Sequence, residues 1–352
     1  MSDKKTTYRE HTDMENTLKL RQVLATLPPF CKDYFRAIDT TTTAKTRISY
    51  AYDIRIFFQF LLDENPAFKG HAMTDFTVDV LDQIKAVDLE EYQEYLKLYQ
   101  SGDKTETNGE RGLKRKISAL RSFYAYYYKR EMIHTNPTVL IDVPKIHEKS
   151  IIRLDTDEVA MLLDYIEHCG DTLTGQKRVF YEKTKERDLA IVTLLLGTGI
   201  RVSECVGLDI EDVDFKNNGI KVTRKGGNEM VVYFGPEVEK ALKRYLEVRE
   251  GITPLAGHEH ALFYSAQRKR IGVQAVENMV KKYSRQITTT KKITPHKLRS
   301  TYGTALYQET GDIYLVADVL GHKDVNTTKK HYAALDDARR RQAATAVKLR
   351  EE

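Results

Sequence analysis

Residues 188–201 read DLAIVTLLLGTGIR, and this stretch decides the fold. Asp188 to Leu196 is apolar on every side, so the segment has no solvent face and predicts a fully buried helix. Gly197 and Gly199 suit the turn that ends it, and Arg201 opens the next helix. Between Leu208 and Gly235 the hydrophobic period drops to that of strands. Val213-Asp214-Phe215, Ile220 to Thr223 and Met230 to Phe234 read as three short strands. Asn217-Asn218-Gly219 and Gly226-Gly227-Asn228 supply the turns between them. Helical patterns resume at Glu237. The class is mainly α, with one small antiparallel β-sheet in the second half of the chain.

Working outward, the first half is helical. Ile54, Phe57, Phe58 and Leu61 fall on one helix face, which Asn65-Pro66 ends. Leu89, Tyr92, Leu96 and Tyr99 repeat the pattern behind Asp88 as N-cap. Ser101 to Gly112 has almost no apolar residue and reads as an exposed loop. Leu113, Ile117, Leu120, Tyr124 and Tyr128 form the next stripe, with Lys114, Arg115 and Arg121 on the opposite face. Pro137 and Pro144 stop further helix. The expected division is a flexible N-terminus (1–20), a helical domain (21–143), a linker (144–153) and a second domain (154–352) that opens with a helix at Thr156 to His168 and closes with a tail (333–352). The linker carries Lys145, Lys149 and Arg153.

Composition bounds the function class. The 352 residues include 56 Lys and Arg against 51 acids, a net charge of +5. That permits a nucleic-acid partner without requiring one, because distribution matters more than the sum. No apolar run approaches the ~20 residues of a membrane span. Met1 to Glu10 is polar, unlike a secretion signal. Cys31, Cys169 and Cys205 are odd in number and far apart, against a disulfide framework or zinc site. The expected location is a reducing cytoplasm.

Chemistry concentrates in four places. Arg201 stands at a helix start with Glu204 one turn on, where a guanidinium can grip an anion with two hydrogen bonds. Lys225 sits at the expected hairpin tip, in Thr223-Arg224-Lys225-Gly226-Gly227. Thr294-Pro295-His296-Lys297-Leu298-Arg299 starts a helix, with His296 and Arg299 three residues apart. Leu320-Gly321-His322 marks a helix end, followed by Tyr332. Each alone is explained by ordinary structure. Together they form a kit for phosphoryl transfer without a metal: arginines to neutralise the phosphodiester, a tyrosine nucleophile, and lysine and histidine to move protons.

These residues in this order resemble the tyrosine recombinase (phage integrase) family, over nearly the whole chain. The match is strongest from Lys185 to Gly227 (KERDLAIVTLLLGTGIRVSECVGLDIEDVDF…TRKGG) and from Thr294 to Tyr332 (TPHKLRSTYGTAL…LGHKDVNTTKKHY). The resemblance implies that Arg201 and Arg299 bind the scissile phosphate, with Glu204 supporting them. It implies that Lys225 protonates the leaving 5′ oxygen, His296 assists proton transfer and His322 hydrogen-bonds the phosphate. Tyr332 attacks to form a 3′-phosphotyrosyl bond, and no metal or other cofactor is needed. His322 and Tyr332 stand one residue further apart than is common in the family.

The resemblance extends to a helical core-binding domain that clamps DNA, with Lys114, Arg115 and Arg121 as its DNA face. Lys145, Lys149, Arg153, Arg268, Lys269 and Arg270 would add backbone contacts. It implies double-stranded DNA as partner, four copies on two sites, and a Holliday junction. The run resembles Xer-type recombinases, which resolve chromosome dimers at cell division. An integrase of a mobile element, a type IB topoisomerase-like enzyme and a non-catalytic DNA-binding protein are the alternatives.

Overall fold

The computed structural model describes residues 7–147, 151–224, 227–322 and 324–325. Lys149, Lys225, Tyr332 and the tail from Ala333 lie outside them. The chain divides into two compact units, Met1–Glu148 and Lys149–Glu352.

The first unit contains α1 (Tyr8–Leu24), α2 (Cys31–Ala37), α3 (Ala44–Glu64), α4 (Val80–Gln83), α5 (Ala86–Tyr95), β1 (Leu98–Ser101), β2 (Lys104–Thr107) and α6 (Glu110–Tyr128). Its core is aromatic. Phe57 meets Tyr92 edge-on at 5.3 Å, and Tyr34 meets Phe123 at 5.2 Å. The tyrosines can be buried because their hydroxyls are satisfied. Tyr34 bonds Ser122 Oγ at 2.9 Å, and Tyr127 donates to the Phe30 carbonyl at 2.8 Å.

Three sequence readings are corrected here. The N-terminal residues expected to be flexible up to residue 20 include most of α1, which Thr7 caps by accepting from the Glu10 amide at 3.2 Å. The loop expected at Ser101 to Gly112 takes in the turn and second strand of the β1–β2 hairpin and the first three residues of α6. Asp88 is not the N-cap of α5. It lies inside the first turn, and its carboxylate accepts from the Lys85 amide at 2.7 Å.

The second unit contains α7 (Thr156–His168), α8 (Gly175–Thr198), α9 (Val202–Gly207), β3 (Val213–Asp214), β4 (Gly219–Thr223), β5 (Glu229–Tyr233), α10 (Pro236–Glu250), α11 (Val273–Ile287), α12 (Pro295–Thr310) and α13 (Ile313–Leu320). α8 is the centre, packed by α7, α10 and α12. Residues 188–195 of α8 are all buried, as the all-apolar reading requires. The buried Asp188 is satisfied by Arg187 and by the Tyr283 hydroxyl at 3.0 Å. Gly197 lets α10 come close, since a Cβ there would lie 2.4 Å from Val238 Cγ2. The sheet is antiparallel in the order β3-β4-β5, with Thr223 opposite Glu229 at the hairpin end. No helix among the described residues is long and apolar enough to cross a membrane.

Candidate active site

α8 ends at Gly199, whose φ of 62° is the left-handed conformation that favours glycine. The position is tight as well, because a Cβ there would lie 2.3 Å from Tyr302 Cδ1. The turn delivers Arg201 as the N-cap residue of α9. Glu204, buried one turn on, holds Arg201 twice. Its carboxylate accepts from the Arg201 amide at 2.8 Å and from Nη1 at 2.7 Å. The Arg201 side chain stays about one-third exposed (36 %), while that of Glu204 is not (3 %). This is the geometry of an arginine aimed from behind by a carboxylate, with part of its guanidinium open to a ligand.

α12 starts at Pro295, with Thr294 before it in extended conformation but without a side-chain cap bond. Arg299 lies a turn inside and is buried. Its Nη1 donates to the Gly199 carbonyl at 2.5 Å, and its Nη2 donates to the Leu320 carbonyl. His296 is exposed. The pair therefore runs from the surface into the interior.

α13 ends at Gly321, φ 61°. The Gly321 amide donates to the Asp318 carbonyl at 2.7 Å and the His322 amide to the Ala317 carbonyl at 2.9 Å, the double bond pattern of a glycine-terminated helix. His322 is thereby fixed at the turn, half-buried. The last carbonyls of such a helix point out with partial negative charge. Here three consecutive ones each take an arginine from a different element. Val319 accepts from Arg224 Nη2 at 2.6 Å, Leu320 from Arg299, and Gly321 from Arg201 Nη2 at 3.2 Å.

Arg224 was not among the candidates read from the sequence. It follows β4 and is buried, and burial lowers its pKa against the opposing pull of Glu204. Its neighbour Lys225 drew the reading because a turn lysine is recognisable. Nothing in the local sequence says that the arginine before it folds inward.

Among the described residues, the other thiol and phenol groups of these elements are poor nucleophiles. Cys205, next to Glu204, is fully buried and burial pushes its thiol up to about 12, so it is not a thiolate at neutral pH. Burial also raises the Tyr302 phenol. Tyr307 is buried, and Tyr314 stands exposed in the first turn of α13.

The basic residues expected to face DNA separate into two sets. Lys114, Lys145, Arg268 and Lys269 are exposed, and Arg153 is half-buried. Arg268 lies in a turn with φ 60°. Arg115 is paired with the buried Asp53. Arg121 donates to the carbonyls of Thr138 at 3.0 Å and Ile141 at 2.7 Å. Arg270 donates to Val206 and Leu208 carbonyls and pairs with Asp209. These last three hold the protein together.

A model of the phage integrase family matches residues 152–339. The chain belongs to the phage integrase family. It is 32% identical to the tyrosine recombinase XerC of Caldanaerobacter subterraneus subsp. tengcongensis, over 92% of this chain and 88% of that one. It is 31% identical to the tyrosine recombinase XerS of Lactococcus lactis subsp. cremoris, over 90% of this chain and 93% of the relative. Within the family it is thus a Xer-like tyrosine recombinase, an enzyme of DNA breakage and rejoining. The fold is shared with the Tn1549 transposon integrase in complex with circular intermediate DNA, at a TM-score of 0.63 and 21% identity, over 89% of this chain and 98% of that one.

Proposed function

We propose that this recombinase cuts and rejoins a specific DNA site through the residues read from the sequence. Arg201 and Arg299 bind the scissile phosphate and neutralise the charge that builds on it. Tyr332 Oη attacks phosphorus and gives up its proton. The bond from phosphorus to the 5′ oxygen breaks, and Lys225 hands that oxygen a proton. His296 assists proton transfer, and His322 hydrogen-bonds the phosphate. Rejoining reverses these steps, with the phosphotyrosyl bond as the store of energy.

One observation carries this reading. Arg201 and Arg299, from α9 and α12, converge on the adjacent carbonyls of Gly321 and Leu320, beside His322. Carbonyls at a helix end attract cations, and Arg201 keeps part of its guanidinium exposed beside them, where an anion can reach it.

DNA contacts are assigned to Lys114, Lys145, Lys149, Arg153, Arg268 and Lys269, with Arg115, Arg121 and Arg270 acting by bracing the segments that carry them. The acting unit is four copies on two DNA sites, passing through a Holliday junction. The role is the one that the resemblance to Xer-type recombinases implies, separation of chromosomes at division in the cytoplasm.

Genomic fragments captured as covalent adducts supply the site, and a duplex of that sequence nicked beside the cut is the test substrate. Wild type accumulates a covalent adduct and Tyr332→Phe does not. Equal trapping by the two, or none by wild type, rejects the assignment. The mass of the complex assembled on two such duplexes checks the four-copy stoichiometry.

A further inference from the structure

Arg224 has no part in the reading above. It stands directly before Lys225, its residue exposure is 9%, and Nη2 donates to the Val319 carbonyl at 2.6 Å. Nε and Nη1 are buried without a partner. Nη1 occupies the space that the missing side chain of Gly321 leaves, for a Cβ built there would lie 1.4 Å from it. Two unpaired donors in the interior are costly at about 1–3 kcal/mol each. Stability alone does not account for an arginine at this position.

Among the described residues of the hairpin end, 223–224 and 227–228, this hydrogen bond is the one that leaves the hairpin. The end of α13 is held more redundantly, since Arg299 and Arg201 also grip it.

We propose that Arg224 is a positioning residue for the hairpin lysine. By pinning the end of β4 to the last turn of α13, it sets where the chain presents Lys225 relative to the carbonyls that Arg201 and Arg299 share. The inference rests on Lys225 as the proton donor to the leaving 5′ oxygen. If the bridging 5′ oxygen is replaced by sulfur, the leaving group departs as a thiolate, a far weaker base than an alkoxide, so the bond breaks without a proton being delivered. Sulfur therefore relieves a defect in proton delivery. It does not relieve a defect in phosphate binding or folding.

The experiment uses the full chain and nicked duplexes with oxygen or sulfur at the cut. Single-turnover cleavage is measured for wild type, Arg224→Ala, Lys225→Ala and Arg201→Ala, with duplex affinity and thermal unfolding recorded for each. General-acid loss typically costs about 10²–10⁴-fold, and Arg224→Ala is expected to lose at least about 30-fold on the oxygen duplex. On sulfur it returns to within about threefold of wild type, as Lys225→Ala does, while Arg201→Ala stays slow. If Arg224→Ala does not fold, Arg224→Gln carries the same comparison. Rescue of Lys225→Ala without rescue of the Arg224 variant overturns this inference alone, as does undiminished cleavage of the oxygen duplex. Failure of sulfur to rescue Lys225→Ala overturns the lysine assignment beneath it.

Discussion

The guanidinium of Arg299 donates to the carbonyl of Gly199 at 2.5 Å, joining positions a hundred residues apart. The same side chain reaches the Leu320 carbonyl, so one buried arginine connects the ends of α8 and α13. The proposed binding of the phosphate and the integrity of the fold therefore share a residue. Arg299→Ala strands two carbonyls in the interior, and an expected loss of about 2–4 kcal/mol follows. Urea unfolding measures it, and no covalent adduct should form. Arg299→Lys retains the charge but not the two-pronged reach, and should recover part of the stability with little of the cleavage.

Gly199 offers a sharper contrast. Its φ of 62° disfavours any side chain, and a Cβ would also strike the Tyr302 ring. Gly257 has φ 84° but nothing within 4 Å. Gly257→Ala is expected to cost about 1 kcal/mol, from the backbone alone. Gly199→Ala should cost about twice that or more, and should also slow cleavage by displacing Arg201. Equal thermal shifts for the two variants would contradict the close packing described here.

The buried Asp53 gives the first unit a pH dependence. Burial raises its pKa from 3.8 to about 6, opposed by Arg115 and Lys116, and its Oδ1 has no partner. The folded chain then holds this proton more tightly than the unfolded chain between those values. The group's contribution to stability is complete below pH ~4 and is lost as pH rises through ~6, by about 3 kcal/mol. Hydrogen exchange at the amides of α3 and α6 should show wild type losing protection relative to Asp53→Asn across that window. A constant difference from pH 4 to 7 would refute the shift.

DNA affinity should distinguish the exposed cations from the braced ones. Lys269→Ala or Lys114→Ala is expected to reduce the salt slope of binding by about one and to weaken all sequences alike. Arg121→Ala removes donors to two backbone carbonyls, so it should lower the unfolding temperature and leave the salt slope unchanged. Titrations over a salt series with each variant separate these outcomes.

What the sequence disclosed tracks burial. The run from Asp188 to Leu196 has one physical solution, and the strands around Ile220 and Val232 alternate visibly. The β1–β2 hairpin was invisible because its residues are exposed or half-buried and no hydrophobic period marks it. α1 was missed for a similar reason, with Leu20 and Val23 as its buried residues. Arg201, Glu204, Arg299 and His322, which meet around the end of α13, could be named by type and order. Their arrangement could not, because what brings the three arginines together is a row of main-chain carbonyls, which every residue possesses. Arg121 and Arg270 likewise look like surface cations until the carbonyls and the acid that engage them are located, and Arg115, although exposed, is held by the buried Asp53.

The carbonyls of residues 319–321 carry a last consequence. Because the contacts are to main chain, what matters at the end of α13 is phase. Exchanging Val319 or Leu320 for another apolar residue leaves each oxygen where it is. Inserting or deleting one residue between Asp312 and Gly321 turns the helix end by about 100° relative to its start and shifts it by about 1.5 Å. Such a change would unhook three cations together without altering a single charged residue, so the length of this helix is as much a part of the site as its chemistry.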